Sequence, residues 1–283
     1  MSRTKTAKRR IITFDNGQRR RKTDLLATEE PLEIQLSAGA ETRTVAITMR
    51  TPGNDYELAA GFLYNEGVIH SKHELVQMTY CVGSVRHLQE YNSLDVRMRG
   101  EKLPELSQLE RHFFTNSACG ICGATMLDDL HNRNLPPIPA GPLVTPSIIM
   151  GLPQALQNGQ RIFESTGGLH AAALFDVAGN LLALREDVGR HNALDKLIGW
   201  ALLKGQLPFH DKIILVSGRA SYELLQKCLA AGAPIFCAVS APSSLAVELA
   251  EAFGITLVGF LRGTRFNVYT RGERIAESGG VEE

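Results

Sequence analysis

Five cysteines occur in the chain, and two of them, Cys119 and Cys122, stand two residues apart in the stretch SACGICGAT, residues 117–125. Thiols at that spacing have three chemistries open to them. A structural zinc needs four ligands, usually supplied as two pairs. Cys81, Cys228 and Cys237 are single and scattered, which leaves His112 and His131, flanking the pair, as the residues placed to complete such a set. A thioredoxin-like dithiol sits directly after a strand and opens the helix of a βαβ unit, whereas this pair lies in a polar stretch with glycines on both sides. A carrier thiol needs a favoured thiolate and a segment that can move. Backbone amides at a helix start supply the first, and Gly120 and Gly123 permit the second. The carrier reading ranks first, zinc second and dithiol exchange third.

A second concentration of reactive side chains is EDVGRHNALDK, residues 186–196, which packs Glu186, Asp187, Arg190, His191, Asn192, Asp195 and Lys196 around a helix start near Arg190. Helical spacing sets Asp187, His191 and Asp195 on successive turns, with Lys196 on an adjoining face. A histidine alone reads as a surface or capping residue, but this density of polar groups beside an apolar helix reads as part of a site. STGGLHAAA, residues 165–173, adds Gly167, Gly168 and His170 just before a strand, a weaker signal.

Elements must hold these groups in place. From residue 212, KIILVS, PIFCAVS and ITLVGF read as buried strands, with ASYELLQKCLAAG and SLAVELAEAFG as helices between them. Unbroken apolar strands alternating with helices predict a parallel sheet covered on its faces. Ligands of such sheets bind outside the carboxyl ends of the strands. Those positions are Ser217, Gly218, Arg219 and Ser221; Ser240, Pro242, Ser243 and Ser244; and the 260–265 loop of Phe260, Leu261, Arg262, Gly263, Thr264 and Arg265. Glycines, hydroxyls and arginines suit an anionic, phosphate-bearing ligand, although Ser243 or Ser244 alone would be read as a helix cap. GxGxxG, GxxxxGK[ST] and GxSxG are all absent, which disfavours the ordinary nucleotide enzymes and the serine hydrolase elbow.

Upstream, PLEIQLSAGAETRTVAITMR predicts a β-hairpin turning near Gly39, TPGNDYELAAGFLYNEG a helix ending at Gly67, and LHAAALFDVAGNLLALRED two strands joined at 178–180. At 44% hydrophobic and 21% charged, the 283 residues suit a soluble globular chain with two cores. Thirty basic residues balance thirty acidic ones. The whole molecule therefore has no field to recruit nucleic acid or membrane, and no segment is apolar enough to span a bilayer. The odd cysteine count without an export signal points to reduced thiols in the cytoplasm. The expected organisation is a basic, disordered tail at 1–27, a mixed α+β N-terminal domain at 28–111, a mobile CxxC loop and proline-rich linker at 112–142, and an α/β domain at 143–283.

CGICG at 119–123, STGGLHAAA at 165–173, EDVGRHNALDK at 186–196, SGRASYE at 217–223 and VGFLRGTRFNVYT at 258–270 together resemble the formate dehydrogenase accessory sulfurtransferase family, FdhD type. Their order covers nearly the whole chain except the basic tail. The resemblance implies a sulfur carrier that accepts sulfur from a cysteine desulfurase as a Cys119 persulfide. It then passes the sulfur to the molybdenum of a bis(molybdopterin guanine dinucleotide) cofactor destined for formate dehydrogenase. Cys122 would be an auxiliary thiol and the 260–265 loop would bind the guanine dinucleotide part, with Ser217, Arg219, Arg190, His191, Asp195 and Lys196 as further contacts. The resemblance also implies a cytidine-deaminase-like fold for the C-terminal domain, without the HxE and PCxxC zinc signature. A homodimer is expected. A zinc-dependent hydrolase or deaminase on the same scaffold, and a chaperone that only binds the cofactor, are the alternative functions.

Overall fold

The computed structural model describes residues 4–81, 91–106, 135 and 137–276. Cys119 and Cys122, with His112 and His131, lie outside them. Where a solvated tail was expected, residues 6–27 form an antiparallel hairpin of β1 (Thr6–Asp15) and β2 (Gln18–Ala27). Its turn is Asn16 and Gly17, with φ of 48° and 79°. That Asn-Gly pair is a strong two-residue hairpin signal, concealed in the sequence by the basic residues on either side of it.

The small unit is a four-stranded sheet ordered β4-β3-β6-β5, from β3 (Glu30–Ala38), β4 (Glu41–Arg50), β5 (Leu75–Tyr80) and β6 (Ser93–Met98). Leu32, Ile34 and Leu36 alternate along β3, and all three are buried in one core with Leu58 and Leu63 of the helix α1 (Asp55–Asn65). The period-2 pattern that predicted the strand is the same pattern that buries its inner face.

The large unit follows helices α2 (Pro146–Gly159) and α3 (Arg161–Thr166). It comprises β7 (His170–Phe175), β8 (Leu181–Asp187), α4 (Arg190–Lys204), β9 (Ile213–Val216), α5 (Tyr222–Ala230), β10 (Ile235–Ala238), α6 (Ser244–Phe253), β11 (Thr256–Arg262) and β12 (Arg265–Thr270). The sheet order is β12-β11-β10-β9-β7-β8. It is mixed rather than wholly parallel: β9, β10 and β11 run parallel, while the hairpins β7–β8 and β11–β12 place antiparallel strands on both sides. Ala172, Leu174, Ile214, Val216 and Phe236 pack against α4, α5 and α6 on one face. Ala171, Ala173, Phe175, Ile213, Leu215 and Ile235 pack against α2 on the other. Covering on both faces explains why the central strands read as unbroken apolar runs.

The units are joined where α1 crosses α4. Gly61 and Gly199 meet there, and a Cβ on Gly61 would overlap the Asp195 carbonyl, as one on Gly199 would overlap that of Glu57. Glycine is required because the two backbones touch. Arg185 of β8 secures the junction, donating from Nη2 to Glu57 at 2.7 Å with its guanidinium 5.6 Å from the Trp200 ring.

Candidate functional site

The site is anchored by Asp187, the last residue of β8 and completely buried. Its Oδ1 accepts from Gly189 N at 2.8 Å and Asn192 Nδ2 at 3.1 Å, and its Oδ2 from Thr51 N at 3.1 Å and Lys196 Nζ at 2.6 Å. Four donors satisfy a carboxylate that burial alone would make very costly. Lys196 also donates to Thr51 O at 2.8 Å. Burial pulls its ammonium below the usual lysine range, against the opposing pull of Asp187. Asp187 thus ties the start of α4 to the segment after β4, and the small unit helps to aim Arg190 and His191.

Those two side chains leave the first turn of α4. His191 Nε2 lies 2.9 Å from Glu223 Oε2 and 3.5 Å from Ser221 Oγ. The hydrogen bond from His191 holds the Glu223 carboxyl down to about 2, with burial opposing. Hydroxyl and carboxylate share one ring nitrogen here, whereas a serine nucleophile requires them on opposite nitrogens. The group holds a charge in place rather than relaying a proton. Arg190 Nε is buried without a partner, and its Cδ and the His170 ring both border Gly218. His170 is held below the ordinary histidine value, chiefly by burial and then by Arg190 and His191, with Asp187 opposing.

Beyond the strand ends the backbone continues to pair. Ser217 N donates to Ala171 O at 3.0 Å, Ser240 N to Gly218 O at 3.3 Å and Phe260 N to Ser240 O at 3.1 Å. Ala171 N donates in turn to Ser217 Oγ at 2.9 Å. Ser217, Ser240 and Phe260 therefore stand in a row across three neighbouring strands. The register of β11 against β12 shifts between Gly259 and Arg262, and Phe260 adopts a φ of 53° and is 41% exposed. A non-glycine residue in that region, at a bulge, turns its side chain outward where a ladder position would not.

The 260–265 segment is thus not the free loop expected. It is the tip of a hairpin, with Gly263 and Thr264 as its turn. Hydrogen bonding explains the difference: after β11 the backbone finds a partner at once in RFNVYT, a polar strand that the apolar pattern did not reveal. Arg262 donates from Nε to Val239 O at 3.1 Å, while Thr264, Arg265 and Arg219 are exposed. Three of the expected contacts point inward. Leu261 belongs to the core under α2, Lys196 pairs with Asp187, and Asp195 accepts from Asn65 Nδ2 at 2.6 Å and Lys227 Nζ at 2.7 Å. Nor do Asp187, His191 and Asp195 form one helical stripe, since Asp187 precedes the helix and faces Lys196. Ser243 caps α6, accepting from Ala246 N at 3.3 Å, as its type suggested. Glu223 was missed by sequence reasoning, and its place in the first turn of α5, two residues after Ser221, carries no signal without the fold.

Burial pushes the thiols of Cys228 and Cys237 far above the usual range, so neither supplies a thiolate, and Cys81 is exposed. Among the described residues no three His, Cys, Asp or Glu side chains gather into a metal-holding group, and no helix is long and apolar enough to cross a membrane.

Residues 27–276 match the model described as the FdhD/NarQ family. The chain belongs to that family. All five segments that carried the resemblance lie inside the match, and nearly all of the β1–β2 hairpin lies outside it. This FdhD/NarQ chain is 49% identical over 275 residues to the "Sulfur carrier protein FdhD" of Streptomyces coelicolor, covering 96% of each. It is 42% identical over 266 residues to the protein of that name from Sulfolobus acidocaldarius, covering 94% of this chain and 97% of the relative. The FdhD/NarQ fold seen here also superposes on the crystal structure of a protein described as a formate dehydrogenase accessory protein from Desulfotalea psychrophila. The TM-score is 0.74 at 25% identity, over 96% of this chain and 100% of that one.

Proposed function

We propose that this protein is a cytoplasmic sulfur carrier serving formate dehydrogenase. The observation that carries the reading is identity of 42–49% along nearly the full length of relatives named sulfur carriers, from organisms as different as Streptomyces and Sulfolobus. In this reading Cys119 is the acceptor. Its thiolate attacks the outer sulfur of a cysteine desulfurase persulfide; that S–S bond breaks, the desulfurase thiolate leaves, and Cys119 holds the new persulfide. The sulfur then passes to the molybdenum of the bis(molybdopterin guanine dinucleotide) cofactor, the carrier's substrate, with Cys122 as the auxiliary thiol.

The phosphates of that substrate lie at the strand ends, against Arg219, Arg262, Arg265 and Arg190. Support comes from the exposure of the first three and from the unpartnered Nε of Arg190. Arginine offers such phosphates paired donors. Ser217, Phe260, Gly263 and Thr264 complete the surface, and His191 steadies it through Glu223. Asp195 and Lys196 act by holding α4 rather than by contact. The large unit is read as a cytidine-deaminase-like scaffold, supported by its three parallel strands flanked by hairpins and covered by helices on both faces.

The test is to incubate the protein with a cysteine desulfurase and labelled cysteine and to map the label by peptide mass spectrometry. Label is expected on Cys119. The Cys119→Ala variant should lose transfer while retaining affinity for GDP. A wild-type Cys119 that stays unlabelled would sink the reading.

A further inference from the structure

The β1–β2 hairpin takes no part in the site, and nearly all of it lies outside residues 27–276, which match the family. Ten residues in each strand give this ribbon a length of about 33 Å. Its base is fixed. Thr28 N donates to Lys5 O at 2.9 Å, and the Ala27 Cβ lies 3.6 Å from where a Cβ on Gly168 would stand. Gly168 comes two residues before His170, whose ring borders Gly218 at the strand ends. The ribbon therefore springs from the rim of the ligand site proposed above.

Antiparallel pairing sorts the side chains of the ribbon into two faces. Ile12 stands opposite Arg21 and Phe14 opposite Arg19, with Lys8 and Arg10 further along the same face. All six are exposed, Ile12 by 47% and Phe14 by 70%, whereas Ile11 and Thr13 of the other face are half-buried. Among the described residues none of the four cations on the Phe14 face is held in an ion pair. Solvation alone accounts for the charges but not for two bare apolar side chains among them. A two-stranded hairpin is marginal in water, and a partner covering this face would steady it. Arginines around an exposed aromatic ring are the composition of a protein contact. Nucleic acid fits less well: thirty basic residues balance thirty acidic ones in the whole molecule, and Ile12 has neither a charge for phosphate nor a flat face for a base.

We propose that the Phe14 face docks on an acidic protein surface with an apolar depression for Phe14 and Ile12, on the protein that receives the loaded cofactor. The proposal rests on the sulfur-carrier reading, which supplies such a recipient. The root of the ribbon favours the recipient over the sulfur donor, because the cofactor must be collected from the strand ends beside it. A face two strands wide covers roughly 300 Å² of the partner, the scale of a transient contact. A carrier that must let go needs no more.

Biolayer interferometry of the full chain against the formate dehydrogenase of the same organism, prepared without its cofactor, tests the docking. Binding is expected, and it should weaken as salt screens the exposed charges. Arg10→Glu combined with Arg21→Glu should weaken it about tenfold or more, and so should Phe14→Ser. Arg9→Glu combined with Arg20→Glu, on the opposite face, should change it by less than about threefold. These positions are exposed, and every variant should still take label on Cys119 from the desulfurase. The proposal is overturned if the wild-type chain does not bind the apoenzyme, if salt has no effect, or if the two faces prove equally sensitive. Loss of labelling with binding intact in Phe14→Ser would make the ribbon a desulfurase contact and overturn it too. So would a short DNA duplex that binds the wild type and is lost in Phe14→Ser while dehydrogenase binding stays. Failure of the carrier reading appears separately, as a wild-type Cys119 that remains unlabelled.

Discussion

Asp187 shows how one buried side chain can govern a site that it does not touch. Its four hydrogen bonds join β8, α4 and the segment after β4. Asp187→Ala would leave the Lys196 ammonium, 1% exposed, without its counter-ion. Removing one partner of a buried pair typically costs about 3–5 kcal/mol, and the denaturation midpoint in urea should fall accordingly. An unchanged midpoint would mean that Lys196 finds another partner. At this scale the residue types were legible in EDVGRHNALDK and their partners were not. Spacing along a helix paired Asp187 with His191, but the chain reaches Asp187 before the helix begins. The donor from Thr51 comes from 136 residues away.

Among the elements, the crossing of α1 and α4 sets where Arg190 and His191 stand. Adding one methyl at Gly199 places it against the Glu57 carbonyl, where backbone rather than a flexible side chain must yield. Gly199→Ala is therefore expected to destabilise by about 1–3 kcal/mol or more. Gly151, inside α2, has nothing within 4 Å of the equivalent position. Gly151→Ala should be stabilising by roughly 0.5–1 kcal/mol, because alanine loses less entropy in a helix. Opposite shifts of the two melting temperatures would confirm that the crossing, not helix propensity, demands Gly199. Periodicity revealed both helices, since an apolar stripe is a local property. It did not reveal that α4 buries nearly its whole circumference, with the small unit on one side and the sheet on the other.

On the scale of the molecule, the chain is two units and a basic ribbon. Residues 1–27 hold nine basic side chains against Asp15 and Asp24, and β2 rests on α3 through its own end. None of the three core clusters contains a residue from the ribbon. A chain beginning at residue 28 is expected to melt within a few degrees of the full protein and to accept sulfur on Cys119. A large loss of melting temperature would show that the ribbon braces the fold. The sequence by itself determined the helices other than α3, most of the strands and the family, because side-chain periodicity and short ordered segments are written locally. It also marked the glycine- and arginine-rich strand ends as the place for an anion. The tertiary structure alone decided the antiparallel flanks of the sheet and the hairpin at 260–265. It turned Leu261, Asp195 and Lys196 inward. Each of those depends on which distant backbone or charge a residue meets, and burial makes that meeting compulsory, since a polar group removed from water must find its partner inside.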